Sequence, residues 1–493
     1  MKSSGKNVLI IGSGLGSLAS ALRLASKGYK VRILEKDSQA GGRLNQYKEN
    51  GFTFDLGPSF MSMTFEFDEL FRDCGIKNPL KMIKLDPLYR VQFRGNSKVY
   101  NIYTDLNKLS EEFNDLEPDF YGKAVKYLDK ASEFYHDTEN KVIRKNFDNL
   151  FDYIISISSV PLKHLPYLKK NLWKLLDQTF DSEEVKVIFS LVAFFLGSTP
   201  FKTPSVYSLL NYTEFRHNGY WAVEGGMYKI VELLLAELDK LGVEIIYNTE
   251  ISGIGNFNGN VESFTDKNGK SWNADMFIVN ADAASFRGQV LKRKDFSEKK
   301  LDAMEWSLAP FTVYLGIKGK INNLYHHNYF LGNDFSGYAG KIFTSSVIPS
   351  KPYYYVNMSS YSDRNCAPEG CENIFILCPV PDLRFKNNWN DKEVLAGEII
   401  KDLSERISFD LESNIIVKKI LSPDDWESKF NLYRGSGLGL SHGMMQVGGF
   451  RPSNKDEKFS NLFYVGASTV PGTGLPMVLI SSKLVTERVL NEH

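Results

Sequence analysis

The stretch from Val8 to Leu24, VLIIGSGLGSLASALRL, constrains this chain more than any other. An apolar run from Val8 to Ile11 breaks at Gly12 and Gly14. It then passes into a pattern that places Leu15, Leu18, Ala19 and Leu22 on one helical face, which predicts strand, tight turn and helix. Gly12 lets the chain reverse, and Gly14 lets the backbone approach a diphosphate resting on the positive end of the helix. Ser17 stands where the third glycine of such a turn packs helix against strand. It adds only a hydroxymethyl group, so a slightly wider crossing is expected and no loss of binding.

Beyond the helix, Lys27 and Gly28 close the turn, and Val31 to Leu34 form a second short strand that ends in Glu35. That carboxylate lies about 20 residues past the loop, where the ribose hydroxyls of an adenosine need an acceptor. A glutamate there argues against a ribose carrying a 2'-phosphate. The next segment, Ala40 to Phe60, reads AGGRLNQYKENGFTFDLGPSF. Gly41 and Gly42 permit an unusual backbone path and Arg43 places a cation near the diphosphate, which a simple nicotinamide dehydrogenase does not need; the expected dinucleotide becomes FAD. The GGR segment, and FTFDLGPSF after it, resemble the amine oxidase and carotenoid desaturase branch of flavoproteins.

A chain of 493 residues is too long for one compact core and predicts about two domains. Its 59 basic and 59 acidic side chains cancel, so no global field draws it to nucleic acid, and attraction to anionic lipid needs a local patch. Apolar residues make up 43% and aromatic residues 13%, enough for large cores or a long apolar tunnel. The opening MKSSGKNVLIIG runs straight into the first strand with no separate apolar region and cleavage site, which predicts a cytoplasmic protein. Cys74, Cys366, Cys371 and Cys378 form no CxxC pair and read as reduced packing residues. The histidines do not cluster: His326 and His327 are adjacent and, in a strand, point to opposite sides. No metal is expected.

The nucleotide-binding domain is expected to be discontinuous, from residues 1–74, 221–290 and 447–493, with 75–220 and 291–446 building the substrate domain. After Gly225 a helix carries Ile230, Leu233, Leu234 and Leu238 on one side, and a strand runs through Val243 to Tyr247, with its continuation at Ile251 near adenine. Met276 to Val279 is a further apolar strand that ends in Asn280, Ala281 and Asp282. The first part of the substrate domain reads mostly helical. The second mixes strands with turns, including half-buried strands at Pro310 to Ile317 and Glu372 to Val380.

Two segments bear on membranes. In LPYLKKNLWKLL, Leu165 to Leu176, the leucines share one helical face and the lysines lie off it; this fits a helix in a lipid interface or an ordinary surface helix. The run VIFSLVAFFLG, Val187 to Gly197, is too short to span a bilayer.

The C-terminal part is the most specific. From Asn431 it reads NLYRGSGLGLSHGMMQVGGFRPSNKDEKFSNLFYVGASTVPGTGLPMVLISSKLVTERVL, in which Leu462 to Val465 is a strand and Gly472 and Gly474 open the final helix toward a flavin ring. With HHN at His326 to Asn328 and APEGCENIFILCPVPDL at Ala367 to Leu383, it closely resembles bacterial phytoene desaturases and related carotenoid desaturases, nearly end to end. The resemblance implies an α/β fold: a Rossmann-like FAD-binding domain of the amine oxidase and phytoene desaturase type with a mixed α+β substrate domain. It implies that Gly12, Gly14, Ser17, Glu35, Gly42, Arg43, Gly57, Ile251, Gly466, Ala467 and Met477 bind FAD. Ala467 stands where many other flavoproteins carry an aspartate on the ribityl chain. It also implies removal of hydrogen from a C–C bond of a membrane-dissolved C40 isoprenoid, either phytoene or a later carotenoid, the 1-hydroxylated ones included. The remaining partners it implies are the inner face of the membrane, bound peripherally, and oxygen or a quinone as electron acceptor. Neither His442, Arg434 nor Glu224 takes a catalytic role in this reading. Two alternatives share the fold: a non-catalytic escort of prenylated proteins, and an amine oxidase.

Overall fold

The computed structural model describes residues 5–343, 345–348 and 351–492. The first strand, Asn7–Ile11, lies at the centre of a five-stranded sheet whose order brings together segments far apart in the sequence. The order is Leu462–Tyr464, Met276–Val279, Asn7–Ile11, Lys30–Leu34, Glu244–Ile246, with every pairing parallel. Val8, Leu9 and Ile10 are almost fully buried because helices cover one face and an antiparallel hairpin layer the other, as a parallel sheet requires. The helix Leu15–Ala25 follows the glycine turn, and the helices Lys229–Lys240 and Leu475–Glu492 pack against it. The expected run through Tyr247 into Ile251 is broken: the strand stops at Ile246, Asn248 takes a positive φ, and Ile251–Phe257 opens a separate three-stranded antiparallel sheet.

A seven-stranded sheet forms the other half: Ile415–Leu421, Ala309–Lys318, Cys371–Val380, Tyr354–Asn357, His327–Leu331, Tyr89–Phe93 and Val99–Ile102, in that spatial order. All pairs are antiparallel except His327–Leu331 with Tyr89–Phe93. Two sequence readings change here. Residues after Gly75 contribute strands before the helices begin at Leu106, because Tyr89, Val91 and Phe93 alternate inward. The strands around Pro310 and Glu372 are buried on both faces rather than half-buried, because the 16-residue helix Lys392–Ile407 covers the face turned away from the cavity.

The leucine-rich segment at 165–176 is not one helix. Lys170 is extended, Asn171 caps a new helix by accepting from the Lys174 N–H, and two short helices result, Leu165–Lys169 and Leu172–Asp177. Leu172 and Leu176 are buried in the core while Leu165 and Leu168 are exposed, so the single apolar face is divided. The exposed apolar surface is larger next to it. On the helix Leu150–Ser158 the side chains of Leu150, Phe151, Ile154 and Ile155 all face outward, and Leu162 on the following turn is 75% exposed. Among the described residues no helix is long and apolar enough to cross a membrane.

Candidate active site and cofactor cradle

The site grows from the glycine turn. Gly12 sits at φ +85, and a Cβ there would lie 3.0 Å from the Asn280 carbonyl oxygen. A Cβ on Gly14 would lie 2.4 Å from Asn280 Oδ1, and one on Gly466 would lie 2.2 Å from Asn280 Nδ2. Asn280 donates to the Val465 carbonyl at 2.7 Å, so this one amide joins the turn after the first strand to the turn after the last. Sequence reading quoted Asn280 only as a strand end; a polar residue closing the apolar run Met276–Val279 was the available signal. Gly14 stands at the start of the helix Leu15–Ala25 with no side chain to cap it, which leaves first-turn N–H groups facing the cavity as an anion site.

Glu35 is buried at the end of the second strand. Its carboxylate accepts the Ser13 N–H at 2.7 Å, the Ser13 hydroxyl at 2.5 Å and the Asp37 N–H at 2.9 Å, which fixes its orientation. The GGR loop is bonded directly to the glycine turn, Gly41 N–H donating to the Ser13 carbonyl at 3.0 Å. Arg43 donates to the Gly437 carbonyl at 3.0 Å, and burial lowers its pKa while Asp282 opposes that shift. Burial in turn raises Asp282, which accepts N–H bonds from Ala284 and Ser285 and lies next to Ser468. Asp282 thus brings a carboxylate beside Ala467 and Ser468, from a different strand than the one that ends there.

These groups line a cavity of about 590 Å³ that continues into the second half of the molecule. Gly12, Gly14, Glu35, Gly42, Arg43, Gly57, Ile251, Gly466, Ala467 and Met477 all lie on its wall. Ser17 does not: it is fully buried in helix packing with its hydroxyl unbonded, and the close approach to the last strand is made by Gly16, whose Cβ would lie 3.1 Å from Val465. Uncapped helix ends, glycines that leave room for a diphosphate and a cation beside it fit FAD, and the volume is in the range of ligand sites.

Past Gly57 the wall changes character. Phe60 stacks on His327 with ring centroids 4.0 Å apart and meets Phe195 at 4.7 Å and Tyr220 at 4.9 Å. Tyr329 and Tyr355 continue the wall at 5.3 Å from each other, and Phe335 and Tyr353 line it further on. The charged residues of the wall are Glu35, Lys36, Asp37, Arg43, Glu250 and Asp282, all on the nucleotide side. Burial holds His327 neutral, its pKa well below the ordinary value. Glu214, behind Tyr220 and 1% exposed, is pushed up to about 8 by burial despite Asn211, Tyr89 and Tyr220 beside it, so it too is uncharged at neutral pH. The residues withheld from catalysis have structural positions. His442 Nε2 accepts the Thr473 N–H, Arg434 pairs with Glu298 and Asp302, and Glu224 pairs with Lys81. The N–H groups opening the helix Lys229–Lys240 go to Asp55 rather than Glu224. All four cysteines are unpaired.

Residues 18–490 match the family described as flavin containing amine oxidoreductase. A zeta-carotene-forming phytoene desaturase of Myxococcus xanthus is 34% identical over 99% of this chain and 94% of its own length. A carotenoid 3,4-desaturase of Haloarcula japonica is 27% identical over 99% of both. Among solved structures, an oxidoreductase from Methanosarcina mazei shares the fold at a TM-score of 0.67 and 17% identity, covering 98% of this chain and all of that one.

Proposed function

The chain belongs to the flavin-containing amine oxidoreductase family and is an FAD-dependent oxidoreductase, and within that family we propose that it is a carotenoid desaturase. The observation that carries this reading is the abrupt loss of charge along the cavity wall past Gly57, into aromatic and aliphatic side chains. An ammonium substrate would need a carboxylate there, whereas a hydrocarbon needs shape and exclusion of water. The intact cradle equally disfavours an escort that binds without redox chemistry.

In this reading FAD, when bound, would supply the two-electron oxidising power for the isoprenoid. Gly12, Gly14 and the first turn of Leu15–Ala25 hold its diphosphate, Glu35 the ribose, and Arg43 balances charge. The aromatic wall aligns the polyene and keeps water out, and alignment is the main source of rate for an unactivated C–H bond. The relatives support phytoene as the first C40 substrate to try and a carotenoid desaturated at its 3,4 bond as the second, with 1-hydroxylated carotenoids tested alongside. The electron acceptor in this reading is oxygen or a quinone. Expression in bacteria that accumulate single carotenoids tests the reading: a red shift of the extract in any strain supports it, and unchanged spectra in all of them with flavin bound refute it.

The same reading places the protein on the inner face of the membrane. Leu150, Phe151, Ile154, Ile155 and Leu162 form an exposed apolar patch suited to a lipid interface. Replacing Phe151 and Ile155 by aspartate is expected to abolish co-sedimentation with anionic vesicles while the flavin content stays full.

A further inference from the structure

The main cavity shares a wall with a second, much smaller one. The small cavity measures about 20 Å³, room for one water, and is lined by Ser59, Asp55, Asp363, His326, Asn357 and Ser362. Ser59 lines both cavities, and its Oγ accepts a hydrogen bond at 3.0 Å from Tyr355, whose ring forms part of the aromatic wall. The adjacent histidines do not point to opposite sides as expected, because the strand begins only at His327: their rings meet edge to face with centroids 4.4 Å apart, His327 stacking on Phe60 beside the main cavity and His326 lining the small one.

Asp55 ends the strand Phe52–Asp55, and the Met227 and Tyr228 N–H groups hold its carboxylate at 2.9 and 3.1 Å. The titratable groups around it are Asp363, His326, Cys366 and Tyr314. Asp363 accepts the Gly225 and Asn365 N–H groups. His326 is bonded to Ser362 and brought down to about 4 by burial, the Cys366 thiol is pushed up to about 11 by burial, and the Tyr314 hydroxyl donates to the Leu56 carbonyl. Burial raises Asp55 to about 6 against its two N–H bonds, with Asp363 adding to the rise. Although deep in the protein, Asp55 keeps surface open to the small cavity.

Forming a C=C bond from two saturated carbons removes a hydride, which the flavin accepts with its electron pair, and a proton from the neighbouring carbon. Loss of the hydride makes that neighbouring C–H strongly acidic, so a hydroxyl suffices as the immediate acceptor. The proton then has to cross an apolar wall. We propose that Ser59 and Asp55 form the proton outlet of the active cavity. Ser59 Oγ takes the proton from the substrate carbon, its own O–H proton passes through a water in the small cavity to the Asp55 carboxylate, and Asp55 releases it to solvent. Atoms and charge balance: the substrate gains one C=C bond, the flavin gains the hydride, and one proton leaves. An acceptor poised near the working pH is the efficient choice for such a transfer. Glu214 is the rival carboxyl, but it lies behind Tyr220 with no contact to either cavity.

The outlet rests on the desaturase reading, and the test separates the two. Flavin bleaching by the carotenoid is followed by rapid mixing across pH in the wild type and in Asp55→Asn, Ser59→Ala and Glu214→Gln, with infrared titration of the carboxyls alongside. The wild-type rate is expected to fall as pH drops through about 6. Asp55→Asn is expected to slow bleaching at least tenfold and flatten that limb, with flavin content unchanged. Ser59→Ala, a smaller change should Asp55→Asn misfold, is expected to slow bleaching similarly while Asp55 still titrates. The outlet is overturned if both variants keep the wild-type rate and limb, if the limb moves only in Glu214→Gln, or if infrared titration places Asp55 in the ordinary carboxylate range. A wild-type flavin that no carotenoid reduces overturns the substrate reading instead.

Discussion

The two halves of the cavity are built by opposite means. On the nucleotide side the contacts are backbone N–H groups and glycine Cα atoms, held at close range by Asn280. On the other side they are rings and aliphatic chains from four strands and several helices, Tyr329, Tyr355 and Phe375 among them. Backbone recognition demands particular residues at particular spacings, because only glycine fits where a Cβ would overlap its neighbour. Recognition of a hydrocarbon demands only apolar bulk, which any core also supplies.

The sharpest way to break this comparison is a methyl group on each side. At Gly57 a Cβ would lie 2.0 Å from the Arg43 carbonyl oxygen, a backbone atom that cannot turn away. Gly57→Ala is expected to eliminate bound flavin and destabilise the fold by roughly 2–4 kcal/mol, seen by flavin content and thermal unfolding. Phe60→Ala removes far more material from the facing wall, yet it should retain full flavin and cost about 1–3 kcal/mol, with desaturation down about tenfold in whole-cell assays. Equal flavin loss in both variants would erase the distinction.

A weaker effect separates the charges of the two sides. Glu214 has its folded pKa raised from 4.5 to about 8 by burial. Between those values the folded state holds a proton that the unfolded state has released, so this group makes stability fall as pH rises from about 4.5 to 8. Glu214→Gln should erase that slope: its melting temperature is expected to exceed the wild type's by more at pH 8 than at pH 5. The smallest effect is at Ser17, whose buried hydroxyl has no partner. Ser17→Ala is expected to change stability by less than about 1 kcal/mol, in the stabilising direction, without altering flavin affinity by equilibrium titration.

The same contrast governs what the sequence reveals. Gly12, Gly14, Glu35, Gly42, Arg43 and Gly466 stand out because a phosphate turn, a ribose acceptor and a helix start have fixed local grammars. Ser17 is read correctly as a packing residue but does not reach the cavity wall, and Gly16 beside it makes the close approach to Val465 and Gly466. Phe60, Tyr220, Tyr329 and Tyr355 could not be told from core residues, since they meet only after the strands pair across long separations. The apolar face at 150–158 escaped notice for a related reason. Its helix carries no lysine stripe to advertise it, whereas the leucines at 165–176 did, and Lys170 and Asn171 then broke that helix in two.

Asn280 ties a turn near residue 12 to one near residue 466. The central strand has one partner at Met276–Val279, and that strand pairs in turn with Leu462–Tyr464. During synthesis, therefore, the earliest signature in the chain is the last to become a pocket. The cradle stays open until the strand Leu462–Tyr464 and the turn at Gly466 have been made, long after the glycine turn. A chain stopped before residue 462 lacks both that strand and the Gly466 turn, and with them one wall of the cavity.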